Sequence, residues 1–191
     1  MIKIKTIIMI SVLWLPTSLF GQEKVSFLTI CENPGSDSIK HTIDVLKQTL
    51  KTESCSETAL ALEQTTEIWI SEAQIESLVP FATLENLTKL ELPYNQIVDI
   101  SPLSSLKKLQ ILDLSGNQIK NIKPLKDLVI LSELDLTENK IEDISVLGTH
   151  TDLIFLELSE NPAAINQSAK NCPKNALSDV VGEFCSALDD E

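Results

Sequence analysis

Displaced by 22 residues, the middle of this chain falls on itself. Leu90, Leu112, Leu134 and Leu156 come into register, as do Leu92, Leu114, Leu136 and Leu158, and then Asn95, Asn117, Asn139 and Asn161. One step earlier Ile68 and Ile70 keep the phase, with Ala73 where an asparagine would stand. Ile75, Ile97, Ile119 and Ile141 continue it, followed by Leu78, Ile100, Ile122 and Ile144. Pro80, Pro102 and Pro124 match as well, and Val146 takes the fourth place. Repetition at one fixed period is the signature of a solenoid, in which no single copy encloses a core and stacked copies do.

The spacing says how one coil is built. In "ILDLS", Leu112 and Leu114 flank Asp113, so a short strand points both leucines the same way. Strands of successive copies then pair in parallel, about 4.8 Å apart. Asn117 falls in the turn after the strand, where its amide can satisfy backbone groups that would otherwise be buried unpaired. Ile119 and Ile122 return to the core, and Pro124 stiffens the outer arc while removing one backbone donor. Leu125, Leu128 and Leu131 complete the coil.

The pattern L-x-x-L-x-L-x-x-N-x-I-x-x-I-x-P-L, running over about 67–165, resembles the leucine-rich repeat of the bacterial, internalin-like 22-residue class. The resemblance implies an α/β solenoid with a curved parallel β-sheet, and caps over its two open ends. The ends carry the cysteines: Cys31 and Cys55 before the repeats, Cys172 and Cys185 after them. Four cysteines allow three pairings. A zinc site would need the ends to meet and C-x-x-C spacings, which the sequence lacks. The local pairing would close each pair within its own end. The layout also resembles small secreted bacterial repeat proteins, which implies a cysteine-paired helical cap ahead of the repeats and a further cysteine-bearing segment after "ENPAAINQSAKNCP".

Ile39, Ile43, Leu46 and Leu50 share one helical face between the first two cysteines, with Ser36, Asp37 or Ser38 at its start. This predicts an amphipathic lid over the first strand, and a second short helix over about 56–62. After the repeats, Ala176, Val180 and Phe184 share a face that Gly182 weakens. The last copy is atypical: His150 stands at a leucine phase, Pro162 follows the asparagine, and Ala163 and Asn166 replace isoleucines. Residues 1–21 combine Lys3 and Lys5 with an apolar run from Ile7 to Leu15, the pattern of a signal peptide and too short for a comfortable span. The expected organisation is therefore a signal peptide at 1–21, a helical cap at 22–66, five repeats at 67–165 and a second cap at 166–191. A secreted or periplasmic location follows, with no stable membrane insertion after the signal is removed.

All 15 basic residues are lysines, and the formal charge is -13. Nucleic acid and anionic membranes are repelled by such a chain; a basic partner is the better electrostatic match. If the leucines point inward, the residues between them form the concave face. One column reads Trp69, Glu91, Asp113, Asp135 and Glu157, and the column beside it includes Ile111, Glu133 and Phe155. Tyr94 lies just beyond. Exposed aromatic side chains beside charge have the composition of a contact patch, although local packing under the two caps is the rival account of Trp69 and Phe155. Lys107, Lys108, Lys120, Lys123 and Lys126 fall on the outer arc and read as a solubilising face.

No H-E-x-x-H, G-x-S-x-G or phosphate-cradling loop is present. Neither histidine, His41 nor His150, has a nucleophile in register, and a shallow sheet offers no cleft for acid–base work. The reading is a non-enzymatic binding module, monomeric and free of cofactor or metal, which recognises a protein or peptide through the concave face. Two other functions fit the same features: a periplasmic structural or inhibitory protein binding a cell-envelope component, and cation capture by the acidic column.

Overall fold

The computed structural model describes residues 25–165, 172–173 and 178–187. The N-terminal run read as a signal peptide lies outside these residues, as do Asn166 and Ala176. Five three-residue strands form one parallel sheet in the order β1-β2-β3-β4-β5: Glu67–Trp69, Lys89–Glu91, Ile111–Asp113, Glu133–Asp135 and Phe155–Glu157. The pairing never slips. Ile68, Leu90, Leu112, Leu134 and Leu156 stand side by side, so the 22-residue period of the sequence is the register of the sheet.

On the opposite wall of the coil, one turn of 3-10 helix crosses in each repeat: Val79–Thr83, Ser101–Ser105, Lys123–Asp127 and Ser145–Thr149. Proline is the second residue of the first three, where its fixed φ suits the turn. The side chains of Asp99, Asn121 and Asp143 accept the N–H two residues on, tying down the start of the following turn. At Asp143 the Ser145 hydroxyl and then the Ser145 N–H hold the carboxyl below the usual carboxylate range. Between sheet and outer wall runs one continuous aliphatic core, in which Leu90, Leu112, Leu134, Ile97, Ile119 and Ile141 are sealed from water.

The N-terminal lid has three helices, one more than the sequence periodicity suggests. α1 (Phe27–Glu32), α2 (Asp37–Leu50) and α3 (Cys55–Glu63) start at Ser26, Ser36 and Ser54, each with its side chain accepting a first-turn N–H. Ser54 and Glu57 form a full capping box, and the backbone N–H groups of Glu53 and Ser54 hold the Glu57 carboxyl below its ordinary pKa. At six residues, α1 is too short to show a helical period, yet it buries Phe27, Ile30 and Cys31. The lid docks through α2: the Thr42 hydroxyl donates to the Ser77 carbonyl at 2.9 Å, and His41 Nε2 donates to the Ala73 carbonyl at 2.8 Å. Cys31 and Cys55 are bonded, joining α1 to α3.

At the other end, the four-residue α4 (Pro162–Ile165) closes the last coil, and α5 (Asp179–Ala187) packs against β5. Cys172 is bonded to Cys185 of α5, and the Ser178 hydroxyl donates to the Leu153 carbonyl at 2.8 Å. The innermost residue of α5 is Val181, fully buried. The face predicted through Val180 and Phe184 is thus rotated: Val180 and Phe184 are only partly buried, because Ser178 and Cys185 fix the angle at which the helix meets the sheet.

Candidate binding surface

The interior of each turn is organised by asparagine. Asn117 is 6% exposed. Its Oδ1 accepts from the Ile97 N–H, and its Nδ2 donates to the carbonyls of Leu92, Leu114 and Ser115. Asn95, Asn139 and Asn161 repeat the arrangement one coil apart. Each amide reaches into the preceding coil, so the four act as rungs between repeats rather than as isolated turn residues. Where the first repeat lacks its asparagine, at Ala73, Asn95 accepts the Ala73 N–H and His41 donates to the Ala73 carbonyl.

The opposite side of the sheet faces out. Trp69, Tyr94 and Phe155 are 65%, 54% and 48% exposed, so neither cap covers Trp69 or Phe155 and local packing does not account for them. Ile111 is half-buried between its neighbours. Tyr94 sits in the turn after β2 with φ 54°, a left-handed conformation that non-glycine residues rarely adopt. The equivalent positions Glu72, Glu138 and Glu160 share it; only the third copy uses glycine, Gly116, at φ 64°. The reason lies next door: a Cβ on Gly116 would collide with Cδ1 and Cε1 of the Tyr94 ring. The ring therefore packs against the backbone of the following turn at Gly116. Sequence reasoning names Tyr94 but not this contact, whose one signal is a glycine where its column otherwise carries side chains.

The acidic column is less frustrated than four adjacent carboxylates suggest. Glu91 is paired with Lys89 at 3.1 Å. Oδ1 of Asp113 accepts the Ser115 N–H and hydroxyl at 2.9 and 2.7 Å, and Oδ1 of Asp135 accepts the Thr137 N–H at 2.9 Å. Oε1 of Glu157 takes the Ser159 hydroxyl and the Ser159 and Leu158 N–H groups, and these bonds hold its pKa below the ordinary value. In the preceding repeats the N–H matching Leu158 donates to the next strand; among the described residues no strand follows β5, and the Glu157 carboxylate accepts the Leu158 N–H instead. Glu133 is exposed on β4. Among the described residues, no three His, Cys, Asp or Glu side chains gather as a metal-ligand set, and no helix is long and apolar enough to cross a membrane.

Elsewhere, the five lysines of the outer arc are exposed, and Lys107 pairs with Asp127 at 3.3 Å. His150 is fully buried at its leucine phase, its Nε2 donating to the Leu125 carbonyl at 3.0 Å while Nδ1 has no hydrogen-bond partner. Burial lowers its pKa, against the opposing pull of nearby backbone carbonyls.

A five-stranded parallel sheet, 3-10 turns on the outer wall and buried asparagine rungs define a leucine-rich-repeat solenoid. Residues 85–127 match the family of leucine-rich repeats in two copies. An internalin of Listeria monocytogenes, inlF, is 36% identical over 62% of this chain and 36% of its own, with a TM-score of 0.58. Internalin C2 of the same organism is 38% identical over 55% and 46%, with a TM-score of 0.53. The functional domain of InlJ, also from Listeria monocytogenes, is 20% identical over 63% and 26% with a TM-score of 0.56, and shows the fold alone. No curated protein sequence matches significantly. The chain has the leucine-rich-repeat fold and is similar to the internalins of Listeria monocytogenes, and it spans less than half the length of each internalin it matches.

Proposed function

We propose that this chain is a non-enzymatic recognition module, exported from the cytosol, that binds a protein or peptide on its concave sheet. The observation that carries the reading is the pair of faces on one short strand. Every second side chain is sealed in the core, while the same strands and turns leave Trp69, Tyr94 and Phe155 in water. Solvent-exposed aromatic groups on a rigid sheet lose little entropy on binding and supply most of the energy of contact patches. Two disulfides support a location outside the reducing cytosol. Cation capture is disfavoured by the use of the Asp113, Asp135 and Glu157 carboxylates in turn hydrogen bonds and by the pairing of Glu91 with Lys89.

The test is capture of the natural partner under oxidising conditions by the unaltered chain and by Ile111→Lys with Glu133→Lys. These two positions are adjacent on β3 and β4 and face outward. Loss of capture with an unchanged melting curve is expected. A double variant that captures as well as the parent moves the site off the concave face.

A further inference from the structure

We propose that the occupant of this face is a basic, extended polypeptide segment. It sets an apolar side chain against Trp69 and Tyr94 and lays lysines or arginines along Asp113, Asp135 and Glu157. The inference rests on the concave-face reading above and names the chemistry of the partner.

Lys89 is the resident example. It is the one basic residue on the strands, it pairs with Glu91 at 3.1 Å, and its proton is held more tightly than usual, first by Glu91 and then by Glu67 and Glu133. The following strands carry Ile111, Glu133 and Phe155 at the position of Lys89. Asp113, Asp135 and Glu157 thus lack the cation that Glu91 has, with no ion pair to any of them among the described residues. Each is also pre-aimed. One oxygen is fixed by the turn that follows, and the other makes no hydrogen bond among the described residues. A carboxylate already oriented loses less freedom when a partner's ammonium arrives. Glu133, Glu138 and Glu160 are exposed beside them and deepen the same field.

The dimensions suit an extended chain. Four steps of about 4.8 Å separate β1 from β5, roughly 19 Å, which an extended peptide crosses in about six residues. Alternate side chains then meet the sheet, an apolar one at β1–β2 and basic ones at β3–β5. A second copy of this chain, nucleic acid and anionic lipid are all repelled by the same charges.

The experiment uses three labelled synthetic peptides of about ten residues. One has an aromatic anchor followed by alternating lysines, one has glutamates for the lysines, and one has lysines with serine at the anchor. Each is titrated by fluorescence anisotropy against the full, oxidised chain at low and high salt. The anchored lysine peptide binds and weakens about tenfold in high salt; the glutamate peptide does not bind. Asp113→Asn with Asp135→Asn and Glu157→Gln keeps the oxygens that hold the turns, removes the charges, and costs about tenfold or more. Trp69→Ser abolishes the difference between the anchored and unanchored lysine peptides. If the triple variant melts early, Asp135→Asn alone serves, with a smaller loss. The proposal is overturned by equal binding of the glutamate peptide, by no binding of the lysine peptide at low salt, or by an unchanged affinity in a folded charge-removed variant. A natural partner lost by Ile111→Lys with Glu133→Lys but retained by the triple variant would reject the basic segment and leave the concave-face reading standing.

Discussion

The asparagine ladder and the concave face share one period, yet one is uniform and the other is not. Asn95, Asn117, Asn139 and Asn161 are the same residue making the same bonds. On either side of the inward residue of each strand, the outward positions read Trp69, Glu91, Asp113, Asp135 and Glu157 in one column, and Glu67, Lys89, Ile111, Glu133 and Phe155 in the other. Inside, each coil must meet an identical neighbour, so one chemical solution serves all of them. Outside, each strand meets only water or a partner, so the residues are free to differ. The places where the repeat stops repeating are where this chain is individual.

That contrast breaks first if the ladder is dispensable. Asn117→Ala leaves the Ile97 N–H and several carbonyls without their partner inside the core, and a loss of about 2–4 kcal/mol is expected from chemical denaturation. A loss near zero would mean that water replaces the amide. Gly116→Ala tests the seam between interior and face. It combines a left-handed backbone with a collision against the Tyr94 ring, for about 1–3 kcal/mol. Adding Tyr94→Ala should return the steric part and leave about 1 kcal/mol of backbone cost. Full additivity in that cycle would show that the ring does not rest on the glycine.

His150 gives a smaller, pH-dependent effect. Its folded pKa is lowered, so the unfolded chain takes up a proton first as the pH falls. Stability is unaffected by this group above about pH 6.5 and declines below it, by up to about 1.4 kcal/mol per pH unit, until the folded form also titrates. His150→Leu, which restores the period, should flatten the melting temperature over that window; an unchanged slope would assign the pH dependence elsewhere. The smallest effect on stability belongs to Ile111→Lys with Glu133→Lys, within about 0.5 kcal/mol, although partner capture is lost. A large destabilisation there would place these residues with the ladder and erase the distinction.

The strand register and the buried leucines were legible because periodicity encodes them directly, whereas four cysteines allow three pairings and the pairing within each end was favoured through the resemblance. α1 was not legible: six residues carry less than two helical turns, and its burial is decided by α3 and the first 3-10 turn. The orientation of α5 was missed for a related reason, since Ser178 and Cys185 set it through contacts distant in sequence. On the concave face the sequence names the outward residues but not their bonds. Local composition does not reveal that Asp113 and Asp135 hold their turns, or that Tyr94 dictates Gly116 from one coil away.

Glu157 and Pro162 have a further implication for how such a chain changes its size. Glu157 has retired the N–H of Leu158 that a sixth strand would use, and Pro162 removes the donor that Gln118 and Lys140 supply in earlier coils, a task that Ala163 takes over. Growth at this terminus is chemically closed. The interior joints, by contrast, are interchangeable, so a gene duplication of 66 nucleotides between β3 and β4 would be absorbed as one more coil, widening the arc while both lids stay as they are.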